Sequence, residues 1–204
     1  MTVIASSSGV YANSADEKIS LAKNSMTSPT ILDALCLEDS PVIARCVAQN
    51  PNSSVDALLY LSKKKDYTLR HDALANPGIG ADKLIEILPE SESSDRSAIA
   101  MNAALPILNR LMLAVNDESV LVRKAAWSWI ESNSQLAWHE AVNGGIGLAF
   151  EMETINGRQT LLDYLQRDGK VSLIEELLSI ELNKKLSTHI SLVDLTKSIG
   201  RNCI

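Results

Sequence analysis

Five basic positions recur along the chain: Lys18, Arg45, Arg70 with its neighbour His71, Arg96 and Arg123. Cationic groups repeated at a nearly constant interval can do one of two things. They can line a groove for an anionic partner, such as an acidic peptide or a nucleic-acid backbone. Alternatively they can pair internally with Asp39, Asp66 and Asp117, which recur a few residues earlier, and tie neighbouring segments together through charge-assisted hydrogen bonds. Three tryptophans, Trp127, Trp129 and Trp138, follow in one short stretch. Trp127 and Trp129 stand at i and i+2, a spacing that does not share a helix face, so one is expected in the core and the other exposed or covered by the C-terminal segment. An exposed Trp129 would serve as an aromatic anchor for a ligand. The candidate partner-binding residues are therefore Arg45, Arg70, His71, Arg96, Arg123 and Trp129.

No motif for catalysis accompanies them. His139-Glu140 begins as H-E-x-x-H does, but Asn143 stands where the second histidine is needed. His71 and His189 have no partners at metal-ligand spacing, so no metal is expected, and no cofactor. Gly144-Gly145-Ile146-Gly147 lacks the strand–turn–helix setting of a phosphate-binding loop. Cys36 and Cys46 fall on apolar faces and read as small core residues, and with Cys203 they form no framework, as in reduced thiols of a cytoplasmic protein.

The elements that carry the basic positions repeat as well. Asn24, Asn50, Asn76 and Asn102 are spaced 26 residues apart, each preceded by a small apolar pair: Leu21-Ala22, Val47-Ala48, Ala73-Leu74 and Ile99-Ala100. Val122–Trp127 is a fifth copy with one residue inserted, and Trp129 then takes the asparagine position. After each asparagine an i, i+3 apolar pair returns in register: Leu32 with Leu35, Leu58 with Leu61, Leu84 with Ile87. Such a pair is one buried helix stripe copied along the chain. Ser40-Pro41 and Ser28-Pro29 are N-caps followed by proline at the first helical turn. Asn50-Pro51 reads as a left-handed C-terminal cap that stops the helix. Each unit is then two helices of two to three turns, marginal alone and stable only when stacked.

The unit Val42-Ile43-Ala44-Arg45, Val47-Ala48-x-Asn50-Pro51 and Leu58-x-x-Leu61 resembles the leucine-rich repeat variant family, a relative of the HEAT-like α-solenoids. The resemblance covers about residues 16–132. It implies an all-α fold, a right-handed α-solenoid (superhelix) of short helix pairs with a 26-residue repeat, and a binding or scaffolding role without shared catalysis. The expected organisation is an arm at 1–15, repeats at 16–132 and a diverged helical C-terminal cap at 133–204. In that cap, Leu136–Val142 and Ile146–Met152 are predicted as helices around a glycine turn, Asn156-Gly157 as a turn, and Thr160–Arg167, Val171–Ile180 and Ser191–Ile199 as further helices. Asn156–Tyr164 with Asp168-Gly169 and Leu177-Leu178 is similar to one ankyrin-type helix pair.

Charge bounds the function. A formal net charge of −6 and a pI near 5.1 oppose general affinity for nucleic acid or anionic membrane. No apolar run approaches the ~20 residues of a membrane helix, and the N-terminus lacks the positive region of a signal peptide. The expected function is a non-enzymatic scaffold that binds a protein or peptide partner on the repeat surface. The alternative is a HEAT-like DNA-glycosylase-type enzyme using Trp127 or Trp129 with Asp117 and Arg123. A purely structural subunit reads the same as a scaffold at this level.

Overall fold

Serine, threonine and aspartate caps begin most helices of this protein, and their short length dictates how the helices must pack. The computed structural model describes residues 14–201, with side chains described as far as His189. The expected arm, save Ser14 and Ala15, and Cys203 lie outside the described residues. The chain divides into two compact units, with the boundary in sequence between Pro106 and Ile107.

The first unit contains α1 (Ala15–Lys23), α2 (Pro29–Cys36), α3 (Pro41–Ala48), α4 (Val55–Leu61), α5 (Tyr67–Ala75), α6 (Ala81–Ile87) and α7 (Ser93–Met101), with 3₁₀ turns at Pro77–Ile79 and Leu88–Glu90. Ser14 and Glu17 close a capping box on α1. Ser54 accepts from the Ala57 N–H at 3.0 Å, and Asp66 from the Leu69 N–H at 3.1 Å. Pro29 and Pro41 occupy first-turn positions as predicted. None of these helices exceeds 9 residues, so isolated they would unfold. Packing holds them: α1, α3, α5 and α7 contact one another in succession, and α2 contacts α4. Most of the apolar positions read from the sequence are the core, with Leu21 and Ile87 half-buried. Ala22, Ala48, Leu74 and Ala100 are buried, as are Leu32, Leu35, Leu58, Leu61 and Leu84.

The asparagines do something other than the expected left-handed cap. Asn24, Asn76 and Asn102 have φ between −73° and −72° with extended ψ, and among the described residues only glycines have positive φ. Their amides instead form a ladder. Asn50 Nδ2 donates to the carbonyls of Ala22 and Asn24 at 2.7 and 3.0 Å. Asn76 repeats this on Ala48 and Asn50, both at 2.8 Å. Asn102 repeats it on Leu74 and Asn76, at 2.7 and 2.8 Å. Each Oδ1 accepts from the N–H two residues ahead, at 2.8–2.9 Å. Three of the four are buried and therefore need these partners; Asn24, at the end of the row, is exposed. A side chain with two donors and an acceptor stitches successive turns, which neither aspartate nor leucine can do.

The second unit holds α8 (Ile107–Asn116), α9 (Val120–Ser132), α10 (Ser134–Asn143), a hairpin of β1 (Glu151–Thr154) and β2 (Gly157–Thr160), α11 (Leu161–Arg167) and α12 (Val171–Arg201). The division falls earlier than the expected boundary at Ser132, because α8 and α9 pack on each other and α8 also packs on α10 and β1. Two expectations are corrected here. The segment Ile146–Met152 is not a helix but a turn leading into β1. Gly145 (φ 83°) ends α10, and alternation of exposed and buried residues from Glu151 to Thr154 is a strand's pattern. The strands pair antiparallel, Glu151 with Thr160 and Thr154 with Gly157, around the predicted Asn156-Gly157 turn. Finally, Val171–Ile180 and Ser191–Ile199 belong to a single helix of 31 residues. No breaker stands between them. Among the described residues no helix is long and apolar enough to cross a membrane.

Candidate functional site

The basic positions separate into two sets once their partners are known. Arg70 Nη1 donates to the Lys64 and Lys65 carbonyls at 3.2 and 3.0 Å, and its Nε to Asp95 at 3.2 Å. Arg96 Nη1 donates to the Ser91 carbonyl at 2.8 Å. Arg123 Nη1 donates to the Asp117 and Glu118 carbonyls at 2.6 and 3.1 Å. All three reach back five or six residues and satisfy carbonyls of the turn that precedes their own helix, where cations also complement the negative end of the preceding helix.

Arg45 behaves differently. It is about half exposed, and its Nε bonds Asp72 at 2.8 Å alongside the Gln49 amide, also at 2.8 Å. His71 is half-buried, with its ring 6.0 Å from that of Tyr67. The sequence carries the signal that separates the sets. Arg70 and Arg96 precede their asparagines by six residues, whereas Arg45 and His71 precede theirs by five. One residue is a rotation of ~100° on a helix.

The internal ladder therefore exists in part, with other partners than expected. Asp72 and Asp95 receive the arginines, and Lys18 pairs with Glu38 at 2.8 Å. Asp66 is an N-cap, and the Asp117 carboxylate accepts from the Ser119 N–H at 2.8 Å.

Both Trp127 and Trp129 are buried, each 7 % exposed, and Trp138 is fully so. The i, i+2 rings do point to different faces, but each face is covered. Trp127 stacks on Tyr164, with ring centres 5.7 Å apart and Lys170 above it. Trp129 lies beneath the guanidinium of Arg110, 3.5 Å from ring centre to the guanidinium carbon. Trp129 thus has no open face for a ligand: of the two expected outcomes, exposed or covered, the ring is covered, by Arg110 of α8 rather than by the C-terminal segment. The same burial removes the exposed ring that a base-recognising enzyme would need from Trp127 or Trp129.

Arg110 was not foreseen, yet it was legible. It stands eight residues after Asn102, where Leu32, Leu58 and Leu84 follow their asparagines. It is fully buried, and desolvation pulls its guanidinium down to about 10, against a smaller opposing pull from Glu140. So the Asn102 copy exchanges leucine for arginine, the fifth copy exchanges asparagine for tryptophan, and the two replacements stack on each other.

Between α3 and α5 lie two shallow concavities. Lys23, Val42, Arg45, Gln49, Thr68 and Leu69 contribute to one of about 380 Å³. Gln49, Pro51, His71, Asp72 and Ala75 contribute to another of about 280 Å³. Together they bring Arg45 and His71 onto one surface, and they exclude Arg70, Arg96 and Arg123. No group of acidic, histidine or cysteine side chains among the described residues could hold a metal ion. Cys36 and Cys46 are buried thiols. Burial, and then Asp33, pushes the Cys36 thiol up, away from reactive thiolate.

Comparison with family models, curated proteins and solved structures finds no match. The geometry of the α3–α5 surface therefore carries the functional argument by itself.

Proposed function

We propose that this protein is a non-enzymatic interaction scaffold whose first unit binds a protein or peptide partner on the surface of α3 and α5. In this reading the helix pairs of the first unit are those of a right-handed α-solenoid with a 26-residue repeat. The single observation that supports it is the asparagine ladder. By bonding each first helix to the one 26 residues earlier, it holds equivalent outward positions in line without using them. Val42 and Thr68 form one row, Arg45 and His71 the next, Gln49 and Ala75 a third.

The chemistry of those rows fits a polypeptide rather than a polyanion. Arg45 faces Asp72, exposed Val42 offers apolar area, and Gln49 can donate and accept. A groove for a nucleic-acid backbone would need uncompensated cations, since affinity there comes from phosphate neutralisation.

Substituting Val42→Glu together with His71→Glu tests the proposal. Affinity capture from native extract, read by mass spectrometry, is expected to lose a specific protein that the wild-type chain retains, at unchanged melting temperature. An identical set of captured proteins with both chains would overturn it.

A further inference from the structure

Helix α12 is apolar on two opposite faces, and its own unit covers only one. Leu173, Leu177 and Ile180 are buried, facing α10 and α11, with which α12 packs. Lys184 continues that face and donates to the Val142 carbonyl at 2.6 Å. Glu181, beside it, accepts from the Leu148 N–H at 2.8 Å. On the other side Val171, Leu178, Leu182 and Leu186 are 58, 43, 51 and 60 % exposed. At 3.6 residues per turn these four fall within one stripe. A row of exposed leucines on a helix is a surface awaiting a partner.

We propose that the partner is a second copy of the same helix, packed antiparallel about a two-fold axis at Leu182. The argument is self-complementarity of the stripe. Reflected through Leu182, Leu178 falls opposite Leu186, and Ser179 opposite Lys185. Glu175 falls opposite His189, an acidic residue against a basic one. Glu175, Lys185 and His189 are all exposed, hence available for this pairing. A parallel pair would instead set Glu175 against Glu175 and Lys185 against Lys185, a repulsive arrangement. An isologous contact of this kind closes at two subunits. It is independent of the partner surface proposed for the first unit.

Sedimentation equilibrium of the full chain is expected to give twice the 22.1 kDa chain mass, and Leu182→Glu to give the single mass with an unchanged circular dichroism spectrum. A second arm reads orientation, in a Cys203→Ser background with a short bismaleimide. Leu182→Cys alone is expected to cross-link to itself. Leu178→Cys is expected to cross-link only when mixed with Leu186→Cys. A wild-type chain that stays monomeric up to about 0.3 mM, where even a small interface populates its complex, overturns the proposal. So does a dimer that survives Leu182→Glu, or self-cross-linking of Leu178→Cys.

Discussion

Asn76 reaches back to Asn50: its Nδ2 donates to the Asn50 carbonyl at 2.8 Å while also holding the Ala48 carbonyl at 2.8 Å. Removing that amide strands two buried acceptors and the Gly78 N–H. Asn76→Ala is expected to cost about 3 kcal/mol, with Asn76→Asp no better because a carboxylate cannot donate. Asn24→Ala, at the exposed end of the row, should cost under about 1 kcal/mol. Urea titration of the three variants checks the order. Equal losses at Asn24 and Asn76 would show that the ladder is not what distinguishes them.

Arg110 carries its charge at a position where three earlier copies place leucine. Because its guanidinium is fully buried and its pKa falls to about 10, the charged form is less stable here than in water. Arg110→Leu removes that desolvation cost but also the attraction to Glu140 and the stack on Trp129, so stability is expected to stay within about 1 kcal/mol of wild type. Arg110→Ala also leaves a cavity beside Trp129 and should lower it by about 2 kcal/mol. The folded pKa lies below the unfolded one, so the wild-type penalty persists at neutral pH and is relieved as pH rises above about 10. Thermal melts of both variants decide the matter.

The two arginine sets predict different sensitivities. Arg70, mostly buried and bonded to two carbonyls and Asp95, should cost about 1–2 kcal/mol on truncation to alanine. Arg45, half exposed in its pair with Asp72, should cost under about 1 kcal/mol. A double-mutant cycle at each pair measures the difference, and added salt should weaken the Arg45 pair more.

Asp163 is held below the usual carboxylate range by hydrogen bonds from the side chain and backbone of Thr160. A depressed folded pKa means that its contribution is present above the ordinary carboxylate range and lost as pH falls through the folded value. Carbon-detected titration should therefore show Asp163 ionising below the ordinary carboxylate range. Thr160→Val is expected to return it toward the ordinary value.

Much of the fold was legible because its information is local. Cap residues, prolines at helix starts and the Leu32, Leu58 and Leu84 column act over three or four residues, so they specified where helices begin and which faces are buried. The hairpin was less legible: Ile146–Met152 is short and apolar, and a run of that length does not distinguish strand from helix.

The sequence alone determined the helical character of the first unit, the period of its asparagines and the register of its core, since helix caps and apolar spacing depend on near neighbours. Tertiary structure alone decided that the asparagines extend rather than turn left-handed, that both Trp127 and Trp129 are covered, and that Arg45 separates from Arg70. Each of these depends on what stands opposite after folding: a carbonyl 26 or 28 residues away, Tyr164 beside Trp127, Arg110 beside Trp129, or Asp72 beside Arg45. A side chain's partner across a packed interface leaves no trace in its own immediate sequence, and that partner sets whether its charge or ring is available.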